Sequence, residues 1–247
     1  MITLKSPKEI GYMRRSGMVT RDLLLYLEEK IRPGVSTKKL DEFAYDFITR
    51  KGAKPSFLGY AGFPASICAS IDEVVVHGIP SARRLEEGMI IGIDTGAILD
   101  GWQSDAARTF LVGEVSEEKR RLVETTRESF FKGVAEFRSG GRLGDISHAI
   151  QEYNEARGYS IVRDLVGHGI GREMHEDPNV PNFGRAGHGV RLSVGMVLAI
   201  EPMVNLGTWK VETLDDGWTC VTADRKPSAH YENTVALTEN GAEILTL

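Results

Sequence analysis

One sequence frame occurs twice in this chain, and it constrains the fold more than any other feature. Arg84-Leu85-Glu86-Glu87-Gly88-Met89-Ile90-Ile91-Gly92-Ile93-Asp94 matches Arg191-Leu192-Ser193-Val194-Gly195-Met196-Val197-Leu198-Ala199-Ile200-Glu201. Arg-Leu, Gly-Met, a later Ile and a terminal carboxylate are shared. His-Gly-Ile lies upstream of both copies, at His77-Gly78-Ile79 and at His168-Gly169-Ile170, and a second carboxylate lies downstream of both, at Asp105 and Glu232. Two buried strands resembling each other by chance would not keep the order His, carboxylate, carboxylate. A duplicated supersecondary unit does. We therefore expect two related halves, about 1–113 and 114–247, facing each other across one cleft in a single domain, 1–247, without a linker. On this reading His77 is the counterpart of His168.

The flanking segments repeat as well. Ser6-Pro7-Lys8-Glu9 combines a Ser N-cap, Pro at the first helical position and Glu three residues on, which predicts a helix running to Pro33-Gly34. A second helix follows Ser36 or Thr37, with Leu40, Phe43, Phe47 and Ile48 on one face and Gly52 beyond its end. Residues 66–76, 89–99 and 102–112 read as strands. Helices then return, one opened by Ser116 and closed by Gly140-Gly141, the next capped by Asp145 and ending at Gly158. From about residue 160 the chain is strand-like, with turns at Asp216-Gly217 and Asn240-Gly241. The fold class is α+β.

Of the 247 residues, 41% are hydrophobic and 26% charged, with a net charge of -5, which excludes disordered and fibrous classes. The sequence pI of about 5.8 argues against direct nucleic-acid binding. No apolar run approaches the roughly 18–20 residues of a membrane span. The first residues lack the pattern of a signal peptide. Cys68 and Cys220 alone do not make a disulfide framework. A cytoplasmic enzyme, monomeric and without a membrane partner, is the expectation.

Turn chemistry and strand spacing place the carboxylates. Asp100-Gly101 is a two-residue hairpin turn, so Leu99 pairs with Trp102 and Asp94 lies opposite Ala107. Asp105 then shares a sheet face with Asp94 as its diagonal neighbour. Side-by-side carboxylates raise each other's pKa unless a cation lies between them. Glu201 ends the apolar strand Met196 to Ile200 just before Pro202, and Glu232 opens the strand from Asn233. Acids at the ends of apolar strands in both halves fit a metal cluster. Carboxylates with one imidazole suit Mn, Fe, Co or Zn. Among the histidines, His148 and His188 read as exposed or structural, and His230 stays open. His168 lies in Gly167-His168-Gly169-Ile170-Gly171, where glycine permits close backbone approach.

These residues carry a family resemblance over essentially the whole chain. Asp94, Asp105, His168, Glu201 and Glu232, in this order and spacing, resemble the five metal ligands of the methionine aminopeptidases. The local motifs are Asp72-Glu73-Val74-Val75-Val76-His77-Gly78-Ile79-Pro80, Gly167-His168-Gly169-Ile170-Gly171 and Glu201-Pro202. The short stretch between Glu201 and Glu232, and the absence of a Cys/His-rich N-terminal extension, resemble the bacterial type I form. The resemblance implies the pita-bread fold, with pseudo-two-fold halves around a central antiparallel sheet.

It also implies two divalent metal ions (Fe, Mn, Co or Zn), with Asp94 on one, His168 and Glu201 on the other, and Asp105 and Glu232 bridging. A metal-bridged hydroxide would attack the first peptide bond, removing the N-terminal methionine of nascent polypeptides when the second residue is small. The ribosome is a candidate place of encounter. Glu201 would shuttle the proton, His77 and His175 would contact substrate, and His175 would stabilise the developing oxyanion. Tyr60, Phe63, Cys68 and Trp218 would line the methionine pocket. Phe63 stands where Tyr is frequent in relatives, Phe57 where Cys often occurs, and His230 where Gln is frequent. The backbone at Asp72, Val74 and Ser228 matches a monovalent-cation site in relatives. Since family enzymes spare methionine before a bulky residue, Met1 should be retained before Ile2. The competing readings are an X-Pro aminopeptidase or dipeptidase of the same fold, and a non-catalytic binding relative.

Overall fold

Helix α1 (Pro7–Glu28) begins where the capping box predicts, with the Ser6 side chain accepting from the Glu9 amide and the Glu9 carboxylate accepting from the Ser6 amide at 2.8 Å. The computed structural model describes residues 1–247. Ser36 caps α2 (Thr37–Arg50). The rest of this part of the chain is β1 (Lys54–Pro55), β2 (Ile67–Ile71), β3 (Val74–Val76), β4 (Ile90–Leu99) and β5 (Trp102–Leu111). Leu23, Leu24 and Leu27 of α1, with Leu40, Ala44 and Ile48 of α2, pack on Ile67, Ile91 and Ile93. Each of these leucine and isoleucine side chains is worth about 1.5–3 kcal/mol when fully buried.

The order then recurs. α3 (Glu117–Ala135) and α4 (Leu143–Glu155) precede β6 (Ser160–Ile161), β7 (Gly167–Gly169), β8 (Glu176–Val180), β9 (Val197–Ile200) and β10 (Met203–Asn205). β11 (Val211–Thr213), β12 (Cys220–Thr222), β13 (Ser228–His230), β14 (Asn233–Thr238) and β15 (Gly241–Ile244) complete the chain. Phe130 and Phe137, from α3 and the turn after it, join Ile146 and Ile150 of α4 over Leu198, Ile200 and Val235. Each helix pair thus covers the strands that follow it in sequence.

Several local readings need correction. α1 ends at Glu28, before Pro33-Gly34, α3 at Ala135, before Gly140-Gly141, and α4 at Glu155, before Gly158. α4 begins at Leu143, so Asp145 stands at N3 and not at the cap; its carboxylate still reaches back to accept from the Arg142 amide at 2.8 Å. The last hairpin closes with Thr238 opposite Gly241, which makes Glu239-Asn240 its two-residue loop.

The strands are antiparallel throughout and lie in four hydrogen-bonded sets: β1-β4-β2 with β5 on β4, β13-β10-β6, β11-β12-β3, and β15-β14-β9-β7-β8. Leu99 pairs with Trp102 and Asp94 with Ala107, as the Asp100-Gly101 turn requires; both turn residues have positive φ, at 52° and 75°. β2 flanks β4 as β7 flanks β9, with Ser70 opposite Gly92 and His168 opposite Ala199. Gly92 and Ala199 hold the same place in the sequence repeat. Ser70, and not His77, is therefore the structural counterpart of His168.

Register also revises the second carboxylate. Gly96 lies opposite Asp105, and Met203 lies opposite His230. Ile200 pairs with Asn233, so the count through the Pro202 break sets Glu232 opposite Glu201. With Asp94 and Glu201 aligned by the repeat, His230 takes the place of Asp105, and Glu232 takes that of Ala107.

The halves join along β5. Asp105 and Thr234 exchange hydrogen bonds at 2.9 Å, Ala107 and Glu232 exchange backbone bonds at 3.3 and 3.0 Å, and Thr109 and His230 exchange bonds at 2.9 Å. Alternate residues of β5 thus meet the 230–234 segment, and both carboxylate-bearing ribbons face one cleft.

Candidate active site

β4 and β5 carry Asp94 and Asp105, β7 carries His168, and the 201–202 break and the 230–232 segment carry Glu201, His230 and Glu232. The His168 Nε2 lies 3.6 Å from Glu201 Oε1 and 3.9 Å from Asp105 Oδ2. The His230 Nε2 lies 3.8 Å from carboxylate oxygens of both Glu201 and Glu232. These separations are long for hydrogen bonds and suit ligand atoms gathered around metal ions at about 2.0–2.2 Å each. Ligand atoms of Asp105, His168 and Glu232 fall within 4.8 Å of one another, as do those of Asp94, His230 and Glu232. The five predicted ligands are brought together, and His230 joins them. Its signal was its position two residues before Glu232, which puts both on one strand face.

The charge pattern fits a cation. Burial pushes the Asp94 carboxyl up to about 7 and holds Asp105, Glu201 and Glu232 well above their ordinary range, with mutual repulsion adding to burial in those three. Asp94 Oδ1, Asp105 Oδ1, Glu232 Oε1 and His230 Nε2 are buried without a hydrogen-bond partner. Orphaned acceptors in such a cluster are the groups a divalent ion would satisfy. Burial, reinforced by His175, lowers His168 to about 3, and it stays neutral. Its Nδ1 faces the Gly169 carbonyl at 2.9 Å, which leaves the Nε2 lone pair for a metal.

A pH test follows. Raised carboxyl pKa values mean that the folded, metal-stripped protein binds more protons than the unfolded chain, so stability falls as pH rises toward and through about 7. His168 and His230, both lowered to about 3, act oppositely, but only below about 6.5. Metal binding needs deprotonated carboxylates. The melting-temperature gain on adding Mn or Co should therefore be larger at about pH 8 than at about pH 6. A gain independent of pH across that window would contradict the charge assignment.

Above the acids opens a cavity of about 530 Å³. Phe57, Phe63, Cys68 and Met174 form its apolar wall, with Trp218 packed against them and edge-on to Phe63 at 5.1 Å between centroids. Met174 was not singled out from the sequence, because nothing local distinguishes it from a core methionine. The Cys68 thiol is buried and pushed well above its ordinary pKa by that burial and by Asp94, so it serves the wall as a neutral sulfur group. His77 and His175 line the same cavity. The Tyr60 hydroxyl lies 2.6 Å from His175 Nδ1. His148 and His188 are exposed and do not line this cavity. The Ser228 amide donates to the Asp72 carbonyl at 2.8 Å, which brings those two backbone positions together.

Comparison with known proteins agrees with this geometry. The model of metallopeptidase family M24 matches residues 11–239. The methionine aminopeptidase of Clostridium perfringens (strain 13 / Type A) is 58% identical over 247 residues, covering 100% of this chain and 99% of that protein. This chain belongs to the methionine aminopeptidases of family M24. The crystal structure of methionine aminopeptidase from Rickettsia prowazekii superposes with a TM-score of 0.99 at 42% identity, covering 100% of both chains. By contrast, the prolidase from Pyrococcus furiosus superposes at 0.80 with 25% identity, and the match takes in 65% of that protein. The fold is the α+β pita-bread fold of this family, and the full-length agreement favours the short bacterial type I form over the X-Pro branch. The family's members are metallo-aminopeptidases that bind divalent metal, and this chain is a hydrolase of that kind. No helix is long and apolar enough to cross a membrane.

Proposed function

We propose that this chain is a cytoplasmic, monomeric methionyl aminopeptidase. It acts on nascent polypeptides at the ribosome and removes the first methionine when the second residue is small. The observation that carries the reading is the floor of buried carboxylates and His168 beneath an apolar, sulfur-lined cavity. A thioether is flexible and polarisable, which suits a wall of Phe57, Phe63, Cys68, Met174 and Trp218. In this reading the whole chain, 1–247, is one catalytic unit of two quasi-repeat halves.

Asp94, Asp105, His168, Glu201 and Glu232 would hold two divalent ions, with Asp105 and Glu232 shared. A monovalent cation would sit at the backbone of Asp72, Val74 and Ser228. When bound, a pair of divalent ions supplies an acidified water and a polarised scissile carbonyl. Glu201, deprotonated once its neighbours' charges are balanced, takes the proton from the attacking water and returns it to the leaving amine. A Tyr60 hydroxyl donating to His175 Nδ1 leaves the ring proton on Nε2, the form that donates to a developing oxyanion. His77 is held neutral by burial and by the neighbouring His175, and it orients the substrate backbone as a hydrogen-bonding group without charge.

His175→Ala should lower kcat by about 10²–10³-fold with a smaller change in KM, the pattern for a donor felt mainly in the transition state. A rate within a few-fold of the parent would remove that role. Peptide selectivity tests the reading as a whole. Release of Met from Met-Ala-Ser, with Met-Leu-Ser and Ala-Pro-Ala left intact, is expected. Cleavage of Ala-Pro-Ala instead would move the chain to X-Pro chemistry.

A further inference from the structure

Strand register aligns His230 with Asp105, yet no role has been derived for it. His230 is 3% exposed, and its Nε2 is buried without a hydrogen-bond partner. That nitrogen points at carboxylate oxygens of Glu201 and Glu232, at 3.8 Å from each. With Asp94 and Glu232 it completes a triad of ligand atoms within 4.8 Å, parallel to the triad of Asp105, His168 and Glu232. Each triad holds one imidazole and one aspartate, and both share Glu232.

We propose that His230 is a direct metal ligand through Nε2, coordinating the ion held by Asp94, so that this centre carries two histidines where the family pattern supplies one. The backbone at this position is fixed from outside the cluster: Thr109 Oγ1 accepts from the His230 amide and donates to its carbonyl, each at 2.9 Å. The strand is thus pinned, and the side chain has one face to occupy. A second imidazole shifts a carboxylate-dominated pair of sites toward Co and Zn and away from Mn.

The inference rests on the metal-centre reading above, and the test separates the two. Metal-stripped parent, His230→Gln and His230→Ala proteins are titrated with Co(II) by calorimetry, and the loaded forms are followed by paramagnetic proton NMR. Each cobalt-bound imidazole contributes a solvent-exchangeable, hyperfine-shifted ring N–H signal. Two such signals are expected in the parent and one in His230→Gln, with affinity at one site weakened about tenfold or more. A single signal in the parent, unchanged in His230→Gln, would overturn the proposal, whatever the affinities do. Because the parent spectrum decides by itself, a His230→Ala protein that fails to fold leaves the answer intact. Failure of the parent to bind cobalt at all would instead sink the metal-centre reading, and this inference with it.

Discussion

Glu201→Ala should reduce kcat by roughly three orders of magnitude or more while leaving KM for Met-Ala-Ser within a few-fold of the parent. Two losses contribute. The carboxylate is the only candidate proton shuttle that also lies 3.6 Å from His168 Nε2 and 3.8 Å from His230 Nε2. Its backbone is held independently of its side chain, because the Asn182 amide group donates to the Glu201 carbonyl at 2.9 Å. The side chain can therefore be removed without releasing the strand end. Glu201→Gln separates the losses: it keeps shape and one oxygen ligand but cannot accept the proton. Equal losses in both variants, with metal content retained in Glu201→Gln, identify proton transfer as the missing step. A near-parental rate in either variant would end the assignment.

The second large effect is expected at a glycine. A Cβ at Gly169 would lie 2.2 Å from the Asp177 carbonyl oxygen and 2.9 Å from that of Glu176, both backbone atoms of the facing strand β8. Flexible side chains can yield to such contact, but a paired strand cannot. Gly169→Ala must push β7 and β8 apart, at a cost of about 1–3 kcal/mol. The displaced strand carries His168, whose Nδ1 is oriented by the Gly169 carbonyl itself. Urea unfolding should therefore show reduced stability, and activity should fall much further than stability does. Parental activity in this variant would show that β7 can move without disturbing the centre.

Much of this arrangement could be read from local chemistry. The Ser6-Glu9 capping box and the Asp100-Gly101 turn act over a few residues, so α1 and the β4–β5 register followed from neighbours in sequence. The repeat exposed the two-fold design because its frame lies on strands that are buried on both copies. What escaped was long-range. His-Gly-Ile recurs in sequence, but His77 follows β3 whereas His168 sits on β7 against β9, so the recurrence is not a structural equivalence. The match of Asp105 with Glu232 failed for a related reason. Both are acids, but the ribbon crosses the Pro202 break before its register can be counted, and that count assigns His230. Asp145 was misplaced by three positions because an acceptor at N3 reaching back resembles a cap reaching forward. The apolar wall was legible at Phe63, Cys68 and Trp218 and blank at Met174, which meets them only through folding.

Metal dependence tests the proposed centre directly. The protein is stripped of metal, assayed with Met-Ala-Ser, and assayed again after Mn, Fe or Co is restored and counted per chain. A two-metal centre predicts no methionine release from the stripped protein, and turnover that rises with occupancy to a plateau near two divalent ions per chain. Turnover without metal would contradict it. So would a fully loaded protein that releases nothing, which would leave the fold as a binding relative and not an enzyme.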